Sequence, residues 1–214
     1  LVVNPIESLD VEIKDWLKID EPAHKADLAK AMLALANHGG GFILIGFRLT
    51  DGRYEPTHAS QEVARLYDQD RINGIVARYA DPPFHIECQL VQGATEKHPV
   101  IVVTGGHNVP IRCTRSGPDE RHTKQNAYYI RRPGPASEEP QSAKEWSDLI
   151  RRCVASDKDS LLGSLRALLD PSIVESSASK TISSFHDTWI SNAKERFLTL
   201  NTGKYGSIDK SPFV

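Results

Sequence analysis

The sequence has no apolar run approaching the roughly 20 residues that a membrane-spanning helix requires, so no segment is expected to cross a membrane. Its three cysteines, Cys88, Cys113 and Cys153, are odd in number and far apart. They make a poor disulfide framework and fit a reducing, cytoplasmic setting. No C-x-x-C or H-x-x-x-H spacing occurs and the eight histidines are scattered, which argues against zinc. No G-x-x-x-x-G-K-[ST] loop is present either, so there is no Walker A nucleotide site. The N-terminus, Leu1-Val2-Val3-Asn4-Pro5, has neither the basic head nor the apolar stretch of a signal peptide. Because it opens on Leu1 rather than Met, the chain is expected to begin inside a longer protein or after processing. Positive charge is not in excess: the formal net charge is −2. Binding to nucleic acid or anionic lipid would therefore need a local patch.

What is present reads as a folded domain. Hydrophobic residues make up 39% and charged residues 25% of 214 positions, which argues against global disorder. Val11-Glu12-Ile13-Lys14 alternates, predicting a short strand with Glu12 and Lys14 on one face. The spacing of Leu28, Met32 and Leu35 predicts a helix over Ala23–Asn37, with Pro22 in its first turn and Gly39-Gly40-Gly41 ending it. Phe42–Phe47 is a continuous apolar run of strand length. Strand, helix, strand leaves room for one crossover between parallel strands.

Beyond the Asp51-Gly52 turn, a second helix is predicted over Ser60–Tyr79. Strands follow at Phe84–Val91, Val100–Thr104 and Asn126–Arg131, with a shorter one at Ile111–Thr114. Ser142–Val154 is amphipathic and closes a domain of residues 1–155. A boundary near Ala155–Asp159 precedes a helical extension, 156–214. That extension would hold a leucine-rich helix (Leu161, Leu162, Leu165, Leu168, Leu169) and a serine-rich one (Ile182, Phe185, Trp189), then a mobile tail from Asn201. The fold class is α+β: a mixed sheet with packed helices and a helical C-terminal extension.

Four motifs stand in register: Glu12-Ile13-Lys14, Ala34-Leu35-Ala36-Asn37-His38-Gly39-Gly40-Gly41, Ile43-Leu44-Ile45-Gly46-Phe47 and Tyr128-Tyr129-Ile130-Arg131-Arg132-Pro133-Gly134. In this order the segment from about Glu7 to Val154 resembles the Schlafen-type AlbA-like domain. That resemblance implies a nucleic-acid-handling domain, and in nuclease members three carboxylates that cut RNA with a divalent cation, Mg²⁺ or Mn²⁺. Hard cations prefer oxygen ligands, and a bound cation can generate hydroxide and stabilise phosphate charge. By the resemblance Glu7 and Glu12 are catalytic and metal-binding, with Lys14 supporting. The third acidic position holds Arg48, and Asp51, three residues on, is the substitute. Five residues apart on one straight strand, Glu7 and Glu12 would face opposite ways. They converge only if a turn near Ser8-Leu9 breaks the strand. As plain residues, Glu7, Asp10 and Glu12 are solvated strand-edge charges.

Arg112, Arg115, Arg121, His122, Lys124, Arg131 and Arg132 gather in one stretch with Tyr128 and Tyr129 among them. Arginine and lysine contact phosphates and exposed tyrosines stack on unpaired bases, so this hairpin is the expected contact with RNA or single-stranded DNA. Arg131 leads the group, because motif and local charge agree on it. The bland alternative is a solvated hairpin with one core tyrosine of each pair. Gly39-Gly40-Gly41 precedes a strand, whereas phosphate loops follow one, so these glycines cap the helix, with Asn37 and His38 as cap residues. The rival function is a non-catalytic nucleotide-sensing or adaptor module. A homodimer through Leu161–Leu169 is a further expectation.

Overall fold

The structure, a computed structural model, describes residues 2–94 and 96–169. It separates into a unit of Leu1–Ser160 and a second of Leu161–Val214. Strand β1 (Val11–Lys14), helix α1 (Pro22–His38) and strand β2 (Gly41–Ile45) form the opening crossover, and β1 pairs parallel with β2. β6 (Ile86–Gln92) and β7 (Lys97–Val103) complete a four-stranded sheet in the order β1-β2-β7-β6, with every pair except the first antiparallel. A mixed sheet with helices packed on it is the α+β class expected.

Alternation along the strands divides the core. Ile43 and Ile45 pack toward α1 and its buried Leu28, Met32 and Leu35, while Val11, Ile13 and Leu44 build a second cluster with Phe47 on the other face. Glu12 and Lys14 therefore lie on the side covered by α1, under Asp27.

The apolar run 42–47 is not one strand. It breaks at Gly46 (φ +93°), and the chain turns into a separate hairpin of β3 (Phe47–Thr50) and β4 (Arg53–Pro56). A Cβ at Gly46 would stand 2.7 Å from the His98 ring and 2.8 Å from Trp16, so only glycine passes there. His98 is buried between Trp16 and Phe47.

The helix predicted over Ser60–Tyr79 is two helices, α2 (Gln61–Ala64) and α3 (Gln69–Tyr79). Asp68 starts the second by accepting a hydrogen bond from the Arg71 amide at 2.9 Å, a local cap that outcompetes continuation of the first. α3 also finishes the sheet. The Gln69 side chain accepts from the Cys88 amide (2.7 Å) and donates to the Ile86 carbonyl, while Asn73 accepts from the Ile86 amide (3.2 Å). These amides satisfy the outer edge of β6, where a further strand would otherwise pair.

β5 (Ala80–Asp81) pairs antiparallel with β8 (Arg112–Cys113), and β9 (Ile130–Arg132) with β10 (Ala136–Glu138). Asn37 is not a cap: Gly39 is, its amide donating to the Leu35 carbonyl at 3.1 Å. The buried Asn37 amide instead donates to the Ile111 and Tyr129 carbonyls and accepts from the Ile111 amide, tying α1 to the loops before β8 and β9. Helix α4 (Ala143–Leu169) runs unbroken through Ala155–Asp159, where two helices are expected to part. That stretch contains no glycine or proline to stop it. Of the extension, the Ile182–Trp189 stretch and the tail from Asn201 lie outside the described residues. Among the described residues no helix is long and apolar enough to cross a membrane.

Candidate nucleic-acid interface

Glu12 and Lys14 of the expected catalytic cluster form one ion-pair network with Arg131, the expected contact arginine. A turn over Ser8–Val11, closed by Ser8 N–H to Val11 O (3.0 Å) and Val11 N–H to Ser8 O (3.4 Å), breaks the chain between Glu7 and Glu12 as their convergence requires. Arg131 enters behind it. Its guanidinium pairs with Glu12 and donates to the Ser8 carbonyl (2.7 Å), the Leu9 carbonyl (3.2 Å), the Val11 carbonyl (3.3 Å) and Ser137 Oγ (3.1 Å). Lys14 Nζ lies 3.2 Å from Glu12 and 2.9 Å from Asp27, and Asp27 reaches His122 at 3.6 Å. Burial works against the Lys14 ammonium, but Asp27 and Glu12 outweigh it and raise its pKa.

Two expectations change here. Arg131, 4% exposed, is spent on the fold and cannot reach a phosphate without leaving its partners. Glu12, 8% exposed, is neither a solvated edge charge nor an open ligand, because Arg131 and Lys14 already neutralise it.

Glu7 accepts a hydrogen bond from the Tyr54 hydroxyl at 2.5 Å. Burial, then Glu7, pushes the Tyr54 phenol upward. Asp51 does not join them. It sits exposed at the tip of the β3–β4 hairpin with φ +50°, the turn position for which its short polar side chain suits it. Among the described residues no three His, Cys, Asp or Glu side chains gather closely enough to hold a metal ion. With Glu12 paired and Glu7 bonded to a tyrosine, the residues present do not offer the open oxygen set a divalent cation needs. Arg48 also stays out of this network. It pairs with Asp15 (Nε–Oδ2 2.8 Å), which also accepts from Thr57 Oγ1 (2.6 Å) and the Trp16 amide (2.8 Å). Burial pushes the Asp15 carboxyl up, and those hydrogen bonds with Arg48 beside it bring it below its ordinary value.

The remaining basic residues divide by partner. Arg132 is clamped by Glu145 (2.6 Å) and Glu138 (2.5 Å), Lys124 by Glu139 (3.0 Å), and Arg112 by Asp81 (2.5 Å) and Asn126 (3.0 Å). Arg115 and Arg121 are exposed with no carboxylate within ion-pair distance among the described residues. The β5–β8 register places Asp81 opposite Arg112 and Ala80 opposite Cys113, and the Thr114 amide donates to the Tyr79 carbonyl at 2.9 Å. Arg78, in the last turn of α3, and Arg115, just beyond β8, flank the Tyr79–Thr114 contact. Among the described residues neither has a carboxylate within ion-pair distance, and both act on the buried Tyr79 phenol, whose pKa burial raises.

At the other end of this band, Tyr128 bridges to Arg112 and sets its ring edge-on to Trp146, 5.4 Å between centroids. Trp146 is 37% exposed, whereas Tyr129 is core. The one-in-one-out reading of the tyrosine pair thus holds for position, and the outer tyrosine keeps an aromatic neighbour. Arg78 and Trp146 are absent from the sequence-based site because each falls on the polar-to-apolar margin of an amphipathic helix. Only the fold brings those margins beside β8.

A family model described as Schlafen, AlbA_2 matches residues 7–138, more than half of the chain. No curated protein matches. Among solved structures, a crystal structure of a Corynebacterium diphtheriae protein is 16% identical with a TM-score of 0.45 over 65% of this chain, which spans only 23% of that protein. The N-terminal domain of a Nitrosomonas europaea protein described as related to the ATP-dependent DNA helicase RecG is also similar. It is 19% identical, with a TM-score of 0.36, over 64% of this chain and 82% of that one.

Proposed function

The chain belongs to the Schlafen AlbA_2 family, and from that premise we propose that it binds RNA or single-stranded DNA along the band from Tyr128 and Trp146 to Arg78 and Arg115. The observation that carries this reading is the placing of Arg78 and Arg115 on either side of the Tyr79–Thr114 contact, neither, among the described residues, with a carboxylate within ion-pair distance. Phosphates crossing there would meet both guanidinium groups, and Arg121 on the adjoining loop extends the cationic side. The half-exposed Tyr128–Trp146 pair gives unpaired bases a surface on which to stack. Binding without cleavage is the activity proposed, since Arg131 and Lys14 already engage both carboxylate oxygens of Glu12.

Fluorescence-anisotropy titration of labelled single-stranded RNA and DNA over a range of salt tests this. Binding should weaken with salt, because counterions are released from neutralised phosphates. The double substitution Arg78→Gln/Arg115→Gln should flatten the log–log slope by about 1.4, two contacts at about 0.7 each. A slope unchanged by the double substitution removes the two arginines from the interface. No salt-dependent binding of either strand would leave the domain an adaptor. Cleavage with Mg²⁺ or Mn²⁺ that Glu12→Gln abolishes would restore the nuclease.

A further inference from the structure

Between the start of α1 and α3 lies a cavity of about 200 Å³ that the band reaches through Arg78. Ile19 and Ile75 form its apolar wall, and Asp20, Lys25, Arg71 and Arg78 supply its charges. Arg71 is held in place, its Nε 3.0 Å from Asp68 and its Nη1 3.3 Å from Asp20. Among the described residues Lys25 and Arg78 have no carboxylate within ion-pair distance.

The remaining lining residue, Gly74, lies in the interior of α3 and is exposed. Glycine weakens a helix interior, and neither backbone nor packing demands it here. Its φ is not positive, and a Cβ built on it meets nothing within 4 Å. Without a side chain there, the cavity wall at this position is bare.

Resting on the binding reading above, we infer that this notch holds the terminal phosphate of the bound strand. Arg71 is shared between Asp20 and Asp68, which leaves Lys25 and Arg78 as the notch's two cations without a carboxylate partner among the described residues. That suits a phosphate monoester, which carries about −1.5 to −2 at neutral pH, better than an internal diester with a single charge. Arg78 belongs to both places, so a strand lying along the band brings its end to the notch.

The test compares one single-stranded oligonucleotide carrying a 5′-phosphate, a 3′-phosphate or neither, by anisotropy, on the wild-type chain and on Gly74→Leu and Lys25→Gln. Circular dichroism confirms that each variant is folded. The wild type should bind one phosphorylated form about tenfold or more tighter than the unphosphorylated strand, the scale of charge-assisted hydrogen bonds. In each variant that ratio should collapse toward one. Equal affinity of the wild type for all three strands overturns the terminal-phosphate site and leaves the band standing. A preference that survives both substitutions places the phosphate elsewhere and overturns the assignment. Failure of every strand to bind overturns both readings together.

Discussion

Replacing Arg131 by alanine is expected to unfold the domain's opening rather than to weaken ligand binding. Among the described residues the guanidinium is the sole cation closing on Ser8 O, Leu9 O and Val11 O while pairing with Glu12. Removing one partner of a buried ion pair costs about 3–5 kcal/mol, because the other charge stays behind. Glu12 would keep only Lys14, itself shared with Asp27. For a chain of this size, each kcal/mol moves the melting temperature by about 2–4 °C, so a fall of roughly 6–20 °C follows. Differential scanning calorimetry measures it. Arg131→Lys should recover a small part, since one ammonium cannot reach three carbonyls and a carboxylate together. Adding Glu12→Gln to Arg131→Ala should cost less than the sum of the single changes. A melting point lowered by less than about 2 °C, with oligonucleotide affinity lost, would show that Arg131 meets phosphate and that its buried network is not what it is argued to be.

Asn37→Asp should destabilise more than Asn37→Ala, because it sets a carboxylate against the Ile111 and Tyr129 carbonyls; thermal melts rank the two. Gln69→Ala leaves the Ile86 carbonyl and Cys88 amide without their partner, an expected loss of about 1–3 kcal/mol in urea titration. Trp146→Ala should weaken single-strand binding by about 1–3 kcal/mol, the scale of one stacked base, and leave duplex binding nearly unchanged. Glu145 closes the start of α4 by accepting from the Gln141 and Ser142 amides while holding Arg132. Arg132 and these hydrogen bonds bring its pKa from 4.5 down to about 2. Its contribution is therefore present above pH 4.5 and lost as pH falls toward 2. The melting-point gap between wild type and Glu145→Gln should close across that window.

Strand β1, helix α1 and the crossover were legible because their signals are local: two-residue alternation, helical spacing and a glycine stop. The break at Gly46 was not, since it depends on Trp16 and His98 arriving from distant parts of the chain. The split of the second helix turned on one cap, Asp68, competing with an apolar spacing that continued past it. The site was harder still. Charge density along residues 112–132 is real, but sequence cannot tell a guanidinium facing water from one facing carboxylates. Arg131 and Arg132 are anchored by Glu12, Glu138 and Glu145, while the exposed Arg115 follows a two-residue strand pairing that joins β8 to the end of α3, where Arg78 lies. A turn does separate Glu7 from Glu12, which their spacing left as a condition, and what surrounds them is set by side chains that no spacing brings near.

Helix α3 grips the sheet with Gln69 and Asn73 near its start and presents Arg78 near its end. A side chain carried on such a beam inherits the rigidity of the sheet, so a strand docking there has little backbone left to immobilise. More of the contact energy then remains as affinity than a floppy basic loop of equal charge could retain. Amide exchange at Cys88, at the far end of the beam, should consequently slow very little when the ligand binds.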